Sequence, residues 1–281
     1  MKKLSEIKIT RRKIKEVLIP VVLVYVLLHI FLFSNQRYLM YAPDTARSSP
    51  ASAGAADMMS VSVHPADLNQ SLEGWYKAPA DPSKPVILYF HGDGGGIAGR
   101  AGVAQALIKQ GYGVLLAEYR GYSGNPGSPG EAGFYADGDA YYDWLVKQED
   151  ISEKKIVLYG ESLGSGITTY LASRHPNVGG MIIDGGFSSL TDVNKRSMPG
   201  VFVSLVYLDH YNNMDKINKV VCPILFIHGG RDRVVPLKMA EKLYKSANQP
   251  KTMKVFPEGG HVNLYSFGAM DEVKIFLASL K

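Results

Sequence analysis

Cysteine is nearly missing from this chain: Cys222 stands alone among 281 residues. An internal disulfide and a cysteine-rich zinc site are therefore excluded, and packing has to hold the fold together. Net charge is also missing from most of the chain. Residues 1–16 carry seven basic side chains (Lys2, Lys3, Lys8, Arg11, Arg12, Lys13, Lys15) against Glu6 and Glu16, which accounts for the whole formal charge of +5. The remainder balances at 24 basic and 24 acidic side chains, so no basic groove for nucleic acid is expected. No repeat of solenoid or propeller length is visible. What the chain does have is apolar material, 46% of its residues, enough to bury a sizeable core and to exclude disordered and collagen-like classes.

One apolar run stands out: VLIPVVLVYVLLHIFLF, residues 17–33, which contains no charge. At roughly 1.5 Å per residue it reaches about 25 Å, just short of a hydrocarbon core of about 30 Å, and Tyr38 and Tyr41 can extend the anchored length at the interface. The basic cluster on one flank argues against a buried core helix. The small-x-small pattern Ala51 to Ala53 lies far beyond the run, and no cysteine follows it for lipidation, which argues against a cleaved signal peptide. The expected organisation is a basic cytoplasmic segment at 1–16, a single transmembrane anchor at 17–33, and a body on the non-cytoplasmic side. Residues 34–60, rich in Ala, Ser and Pro from Ala42 onward, read as a tether, with the folded body at 61–281.

Within the body two periodicities alternate. Short β-rich runs occur at 61–63, 72–76, 86–90, 114–118, 156–159, 181–183, 224–228 and 253–256. Helix-length segments lie between the later runs, at 98–110, 131–149, 163–175, 238–247 and about 268–280. The first two runs suggest a hairpin. The others are near-continuous apolar strands separated by helices, the pattern of a mostly parallel sheet covered on both faces, hence an α/β fold. Such sheets carry their chemistry at the carboxyl ends of the strands.

Ser, Asp and His follow those strand ends in that order, each beside glycines. Gly160-Glu161-Ser162-Leu163-Gly164 fits G-x-S-x-G, and it sits between the strand KIVLY and a helix beginning LGSGITTYLASR, where a nucleophile elbow belongs. A serine merely capping that helix is the plainer alternative. Serine needs a base, and imidazole titrates in the right range. Among seven histidines, His29 lies in the anchor, His64 and His175 flank prolines, His210 is in an irregular segment, and His91 and His228 at strand ends read as loop braces. His261, after the last strand, remains as the base. Asp232 is the expected third member, with Asp184 as the fallback; Asp209 and Asp215 fall in a short lid, 187–219, and read as solvated. Oxyanion donors would be the N–H groups of Leu163 and Asp93. Gly94-Gly95-Gly96-Ile97-Ala98-Gly99, followed by Glu118, also matches a dinucleotide-binding pattern, but it starts late behind His91-Gly92 and leaves Ser162, Asp232 and His261 without a role.

Taken together, QRYLMYAP (36–43), LYFHGDGGG (88–96), EYRGYSGNPGSPGEAG (118–133), YGESLGSG (159–166), IIDGGFSSLTDV (182–193), ILFIHGGRDRVVP (224–236) and GGHVNLY (259–265) resemble the α/β-hydrolase superfamily, specifically the BEM46-like serine hydrolases. The resemblance implies an eight-strand sheet, a small lid, a triad on Ser162, Asp232 and His261, and an oxyanion hole at Asp93 and Leu163. It also implies membrane tethering at the N-terminus. Two departures stand out. Asp93 and three glycines replace the family's usual HGNAGN-like loop, and Asp184-Gly185-Gly186-Phe187 replaces Glu-Ser-Pro-Phe at the acyl pocket, where Phe187 is the expected substrate contact. The implied function is hydrolysis of esters or thioesters of acyl lipids or acylated substrates through an acyl-enzyme, with no cofactor, metal or nucleic acid. A serine peptidase on the same triad is the alternative, and a non-catalytic binding protein a more distant one.

Overall fold

The computed structural model describes residues 11–147 and 149–280. Most of the basic segment, residues 1–10, lies outside the described residues. Eight strands form one sheet: β1 (Met59–Val63), β2 (Leu72–Lys77), β3 (Val86–Phe90), β4 (Gly113–Ala117), β5 (Ile156–Glu161), β6 (Gly180–Asp184), β7 (Ile224–Gly229) and β8 (Lys251–Phe256). Their spatial order is β1-β2-β4-β3-β5-β6-β7-β8. The β1–β2 and β2–β4 pairs are antiparallel and every later pair is parallel.

The inner strands are apolar throughout because both faces are covered. Strand alternation divides them: Val86, Leu88 and Phe90 face one core with Leu158, Ile183 and Phe226, while Ile87 and Tyr89 face the other with Val157, Tyr159 and Ile227. Helices α3 (Glu131–Lys147), α4 (Gly164–Arg174) and α7 (Leu237–Ser246) cover the first face, and α2 (Ala101–Ile108) and α8 (Ala269–Ser279) the second. The register sets Phe90 opposite Gly160 and Glu161 opposite Asp184, so the β3, β5 and β6 loops leave the sheet side by side.

The N-terminal part departs from expectation. Helix α1 runs Arg11–Met40, well beyond the apolar run at 17–33, and from Lys15 onward it is long and apolar enough to cross a membrane. The segment expected to be a tether is instead laid onto the body. Residues 34–40 finish α1, and Ala42–Pro43 pairs in parallel with Gly94–Gly95. Asp44 then donates to the Gly95 carbonyl and accepts from the Ser123 amide (2.9 and 2.6 Å), while Ala55 and Met58 are buried against the α2 side of the sheet. Side-chain composition missed this because the attachment is made largely by backbone groups, which any sequence carries.

Residues 187–219, the expected lid, contain α5 (Leu190–Ser197) and the short α6 (Val203–Val206). Asp209, expected in solvent there, is buried: it accepts from the Tyr41 hydroxyl (2.8 Å) and the Glu131 amide (2.9 Å).

Candidate active site

Ser162 sits where β5 turns into α4, with φ of +48°. A non-glycine residue held there is strained by about 1–3 kcal/mol, which the surroundings must offset. They do so by close packing around two glycines. A Cβ on Gly160 would come within 2.7 Å of the Gly164 carbonyl, and one on Gly164 would collide with the Phe90 carbonyl. The Ser162 amide donates to the Asp184 carbonyl at 2.7 Å, which ties the turn to β6.

The candidate acid and base arrive on the loops after β7 and β8. These loops touch at backbone level: Gly230 donates to the Phe256 carbonyl (2.8 Å) and Arg231 to the Gly259 carbonyl (2.9 Å). Any side chain at Gly229 would meet the Gly259 backbone, so that contact requires glycine. His261 Nε2 lies 2.8 Å from Ser162 Oγ, and its Nδ1 lies 2.7 Å from Asp232 Oδ2. Asp232 Oδ1 accepts from the Val234 and Val235 amides, at 2.9 and 2.8 Å. Burial pushes the Asp232 carboxyl up, but the His261 hydrogen bond and charge outweigh it and hold the group below the usual carboxylate range. Burial likewise opposes protonation of His261, yet the hydrogen bond and charge of Asp232, with the fields of Asp184 and Asp93, raise its pKa above the ordinary histidine value.

Asp184, the alternative acid, does not bond the imidazole; its carboxylate accepts from the Tyr159 hydroxyl at 3.0 Å. Burial and the neighbouring Glu161 charge push it up to about 7. His91 and His228 act as braces: His91 Nε2 meets Glu118 at 2.7 Å, and His228 Nε2 donates to the Val235 carbonyl at 2.8 Å, holding the loop that carries Asp232. Glu118 also accepts from the Ile97 amide and the Ser123 hydroxyl (2.8 and 2.6 Å), and Gly94 and Gly95 pair with the chain after α1, so the dinucleotide-like residues are committed to holding this loop.

Asp93 has an exposed side chain, and its carbonyl accepts from Tyr122 Oη (2.7 Å) and the Ala42 amide (3.2 Å). Phe187 departs from expectation: it is 1% exposed, packed in the core, with its carbonyl held by Asn213 at 3.0 Å. It therefore lines no open pocket. The space beside the histidine is a cavity of about 310 Å³ bordered by Tyr89, Arg100, Glu161, Asp184, His261 and Tyr265. Arg100 grips both carboxylate oxygens of Glu161, at 3.0 and 2.6 Å, and Tyr89 adds a hydrogen bond at 2.8 Å. Sequence reasoning did not find this group. The one available signal was an acidic side chain at the variable position of the elbow motif.

A family model for the alpha/beta hydrolase fold matches residues 85–202. The chain belongs to the α/β-hydrolase family. This hydrolase is 37% identical over 232 residues to the uncharacterized protein Rv2307c of Mycobacterium tuberculosis, a match covering 82% of each chain. The lysophosphatidylserine lipase ABHD12 of Danio rerio is 31% identical over 198 residues, 64% of this chain and 51% of that one. Protein bem46 of Schizosaccharomyces pombe is 30% identical over 159 residues, 55% of this chain and 53% of that one. This chain thus spans about half the length of these two relatives. Among solved structures, the Pyrococcus furiosus esterase Pf2001 superposes with a TM-score of 0.69 over 86% of this chain and 98% of its own, at 18% identity, a likeness of fold.

Proposed function

We propose that this hydrolase is a membrane-anchored serine esterase or thioesterase acting through an acyl-enzyme. The observation that carries the reading is the unbroken relay from Asp232 through His261 to Ser162, at 2.7 and 2.8 Å. The Ser162 hydroxyl donates to His261 Nε2; as Oγ bonds the carbonyl carbon, its proton passes to Nε2, and Asp232 stabilises the imidazolium that results. The carbonyl electron pair moves onto oxygen, which takes hydrogen bonds from the Asp93 and Leu163 amides. Among the described residues neither amide donates to a protein acceptor, so both are free for that role. Collapse of this intermediate breaks the bond to the alcohol or thiol, which leaves with the Nε2 proton. Water, activated by the same imidazole, then releases the acid. The Asp93 side chain is exposed, so water screens its carboxylate from the developing charge.

The anchor reading rests on α1, whose residues 17–31 are almost entirely exposed and apolar, a surface far larger than a soluble chain leaves in water. The basic flank favours a cytoplasmic N-terminus and a catalytic body, now beginning near Tyr41, on the other side. The similarity to a lysophosphatidylserine lipase supports acylated lipids as substrates.

Replacing Ser162 by Ala should cut turnover of a p-nitrophenyl ester by at least about a thousandfold and abolish fluorophosphonate labelling. Retained turnover would sink the assignment. A matched amide substrate separates esterase from peptidase action, and protease protection in sealed membranes tests the topology.

A further inference from the structure

Helix α1 carries Tyr25, His29 and Gln36 on one face, with Leu32 between them. Each of the three polar side chains takes up a backbone group of the lid. Tyr25 Oη donates to the Gly200 carbonyl (2.7 Å), His29 Nε2 accepts from the Phe202 amide (3.3 Å), and Gln36 Oε1 accepts from the Leu208 amide (2.6 Å). His29 Nδ1 lies 2.8 Å from the Tyr25 carbonyl, the pairing in which Nδ1 donates and Nε2 is left to accept. Leu32 is buried against Val203, Val206 and Tyr207.

From Tyr25 to Gln36 the helix axis advances about 16 Å, and the lid follows it over that distance. Tyr25 is the midpoint of the uncharged run 17–33. A lid segment at that depth needs every backbone polar group satisfied and an apolar outer surface. Both conditions are approached here: α1 supplies the three partners, and Phe202, Leu205 and Leu208 point outward, exposed. No charge occurs from Ser197 to Leu208; of the flanking ones, Asp209 is buried and bonded to Tyr41 and Glu131, while Lys195 and Arg196 have stems long enough to snorkel toward lipid phosphates. Between the two helices runs an apolar groove of about 420 Å³, with Val26, Ile30 and Phe33 on the α1 side and Leu205 and Val206 on the α6 side. Its volume is within the range of small-ligand sites.

We propose that the lid segment 199–208 lies within the hydrocarbon of the bilayer beside the anchor, and that the groove between α1 and α6 holds an acyl chain of a bilayer lipid. This rests on the anchored reading above. The occupant is set by continuity: one wall of the groove is the membrane-spanning surface itself, so acyl chains are the solvent that meets it.

The test uses the full chain in phosphatidylcholine vesicles whose acyl chains carry bromine, a contact quencher of tryptophan. Leu205→Trp and Val24→Trp replace exposed side chains, so neither removes core packing, and native Trp75 and Trp144, both in the body, set the baseline. Quenching of both variants is expected. Quenching of Val24→Trp with Leu205→Trp at the wild-type level overturns the inference and leaves the anchor standing; no quenching of either overturns the anchor as well. For the groove, a phosphatidylcholine with a diazirine at the acyl terminus, present as a trace among unlabelled lipid, should label Val206, which borders the groove and is buried from bulk acyl chains. Ile30→Trp, which fills the groove, should reduce labelling at Val206 about tenfold, the effect of displacing roughly two methylenes. Unchanged labelling in that variant overturns acyl occupancy of the groove.

Discussion

Tyr122→Phe isolates the support of the proposed Asp93 oxyanion donor. The Tyr122 hydroxyl donates to the Asp93 carbonyl at 2.7 Å, while its ring is buried between His91, Tyr119 and Phe134. Phenylalanine keeps that packing and deletes only the hydrogen bond, leaving the Asp93 carbonyl with the Ala42 amide at 3.2 Å. A neutral hydrogen bond contributes about 1 kcal/mol, and removing a whole oxyanion donor costs roughly 2.7–4 kcal/mol. Loosening one donor without removing it should therefore cost about 1 kcal/mol at the transition state, or about fivefold in kcat. Because the donor acts on charge absent from the ground state, KM should hold nearly constant. Steady-state turnover of a soluble short-chain ester, measured beside a thermal melt, reads both quantities. A kcat within twofold of wild type, in a variant whose melt confirms the lost hydrogen bond, would refute the placement of Asp93 in the oxyanion hole. A loss confined to KM would refute it equally.

Two further perturbations follow from the charges. His261 must be neutral to take the Ser162 proton, and its pKa is raised, so the acidic limb of kcat/KM should have its midpoint above the ordinary histidine value of about 6.5. Asp232→Asn removes the main raising partner and leaves the lowering by burial, so the limb should move to lower pH while kcat falls by orders of magnitude; a limb that stays in place would contradict the pairing. Arg120→Leu tests the scaffold: Arg120 bonds Asp137 through Nε and Nη2 (2.9 and 2.7 Å), and Asp137 is fully buried. Stranding that carboxylate should cost about 3–5 kcal/mol in chemical denaturation, with partial recovery when Asp137→Asn is added, and a loss under 1 kcal/mol would show the pair to be dispensable.

The elements that were legible in the sequence share a cause. Inner strands such as Val86–Phe90 are apolar at every position, and the glycines at 160 and 164 answer a steric demand within the same turn, so local pattern and tertiary environment agree. Ser162, Asp232 and His261 could be picked out because each follows a strand whose end the topology brings to one edge. The unread parts depend on partners remote in the chain. Gln36 and Leu208 are separated by 172 positions, and Arg100 and Glu161 by 61, with no local pattern to announce either pair. The family resemblance puts Phe187 at an acyl pocket; in the fold the chain there turns inward, and the aromatic ring fills the core instead.

The attachment of residues 41–44 to the body changes how the proposed anchor relates to the chemistry. A flexible tether would leave the proposed membrane helix mechanically separate from the candidate catalytic edge. Here α1 ends at Met40, the Tyr41 hydroxyl bonds lid residue Asp209, and the next residue, Ala42, donates to the Asp93 carbonyl. Three consecutive residues thus join the apolar helix, the segment 187–219 and the loop that carries Asp93, the last two connections through hydrogen bonds of fixed direction. Tyr41 and Asp209 are buried, so their bond is shielded from water and resists local opening more than an exposed one. The orientation of α1 is therefore coupled to residues 187–219 and to the Asp93 loop by short, low-entropy connections, and this geometry keeps the candidate catalytic edge in register with the helix.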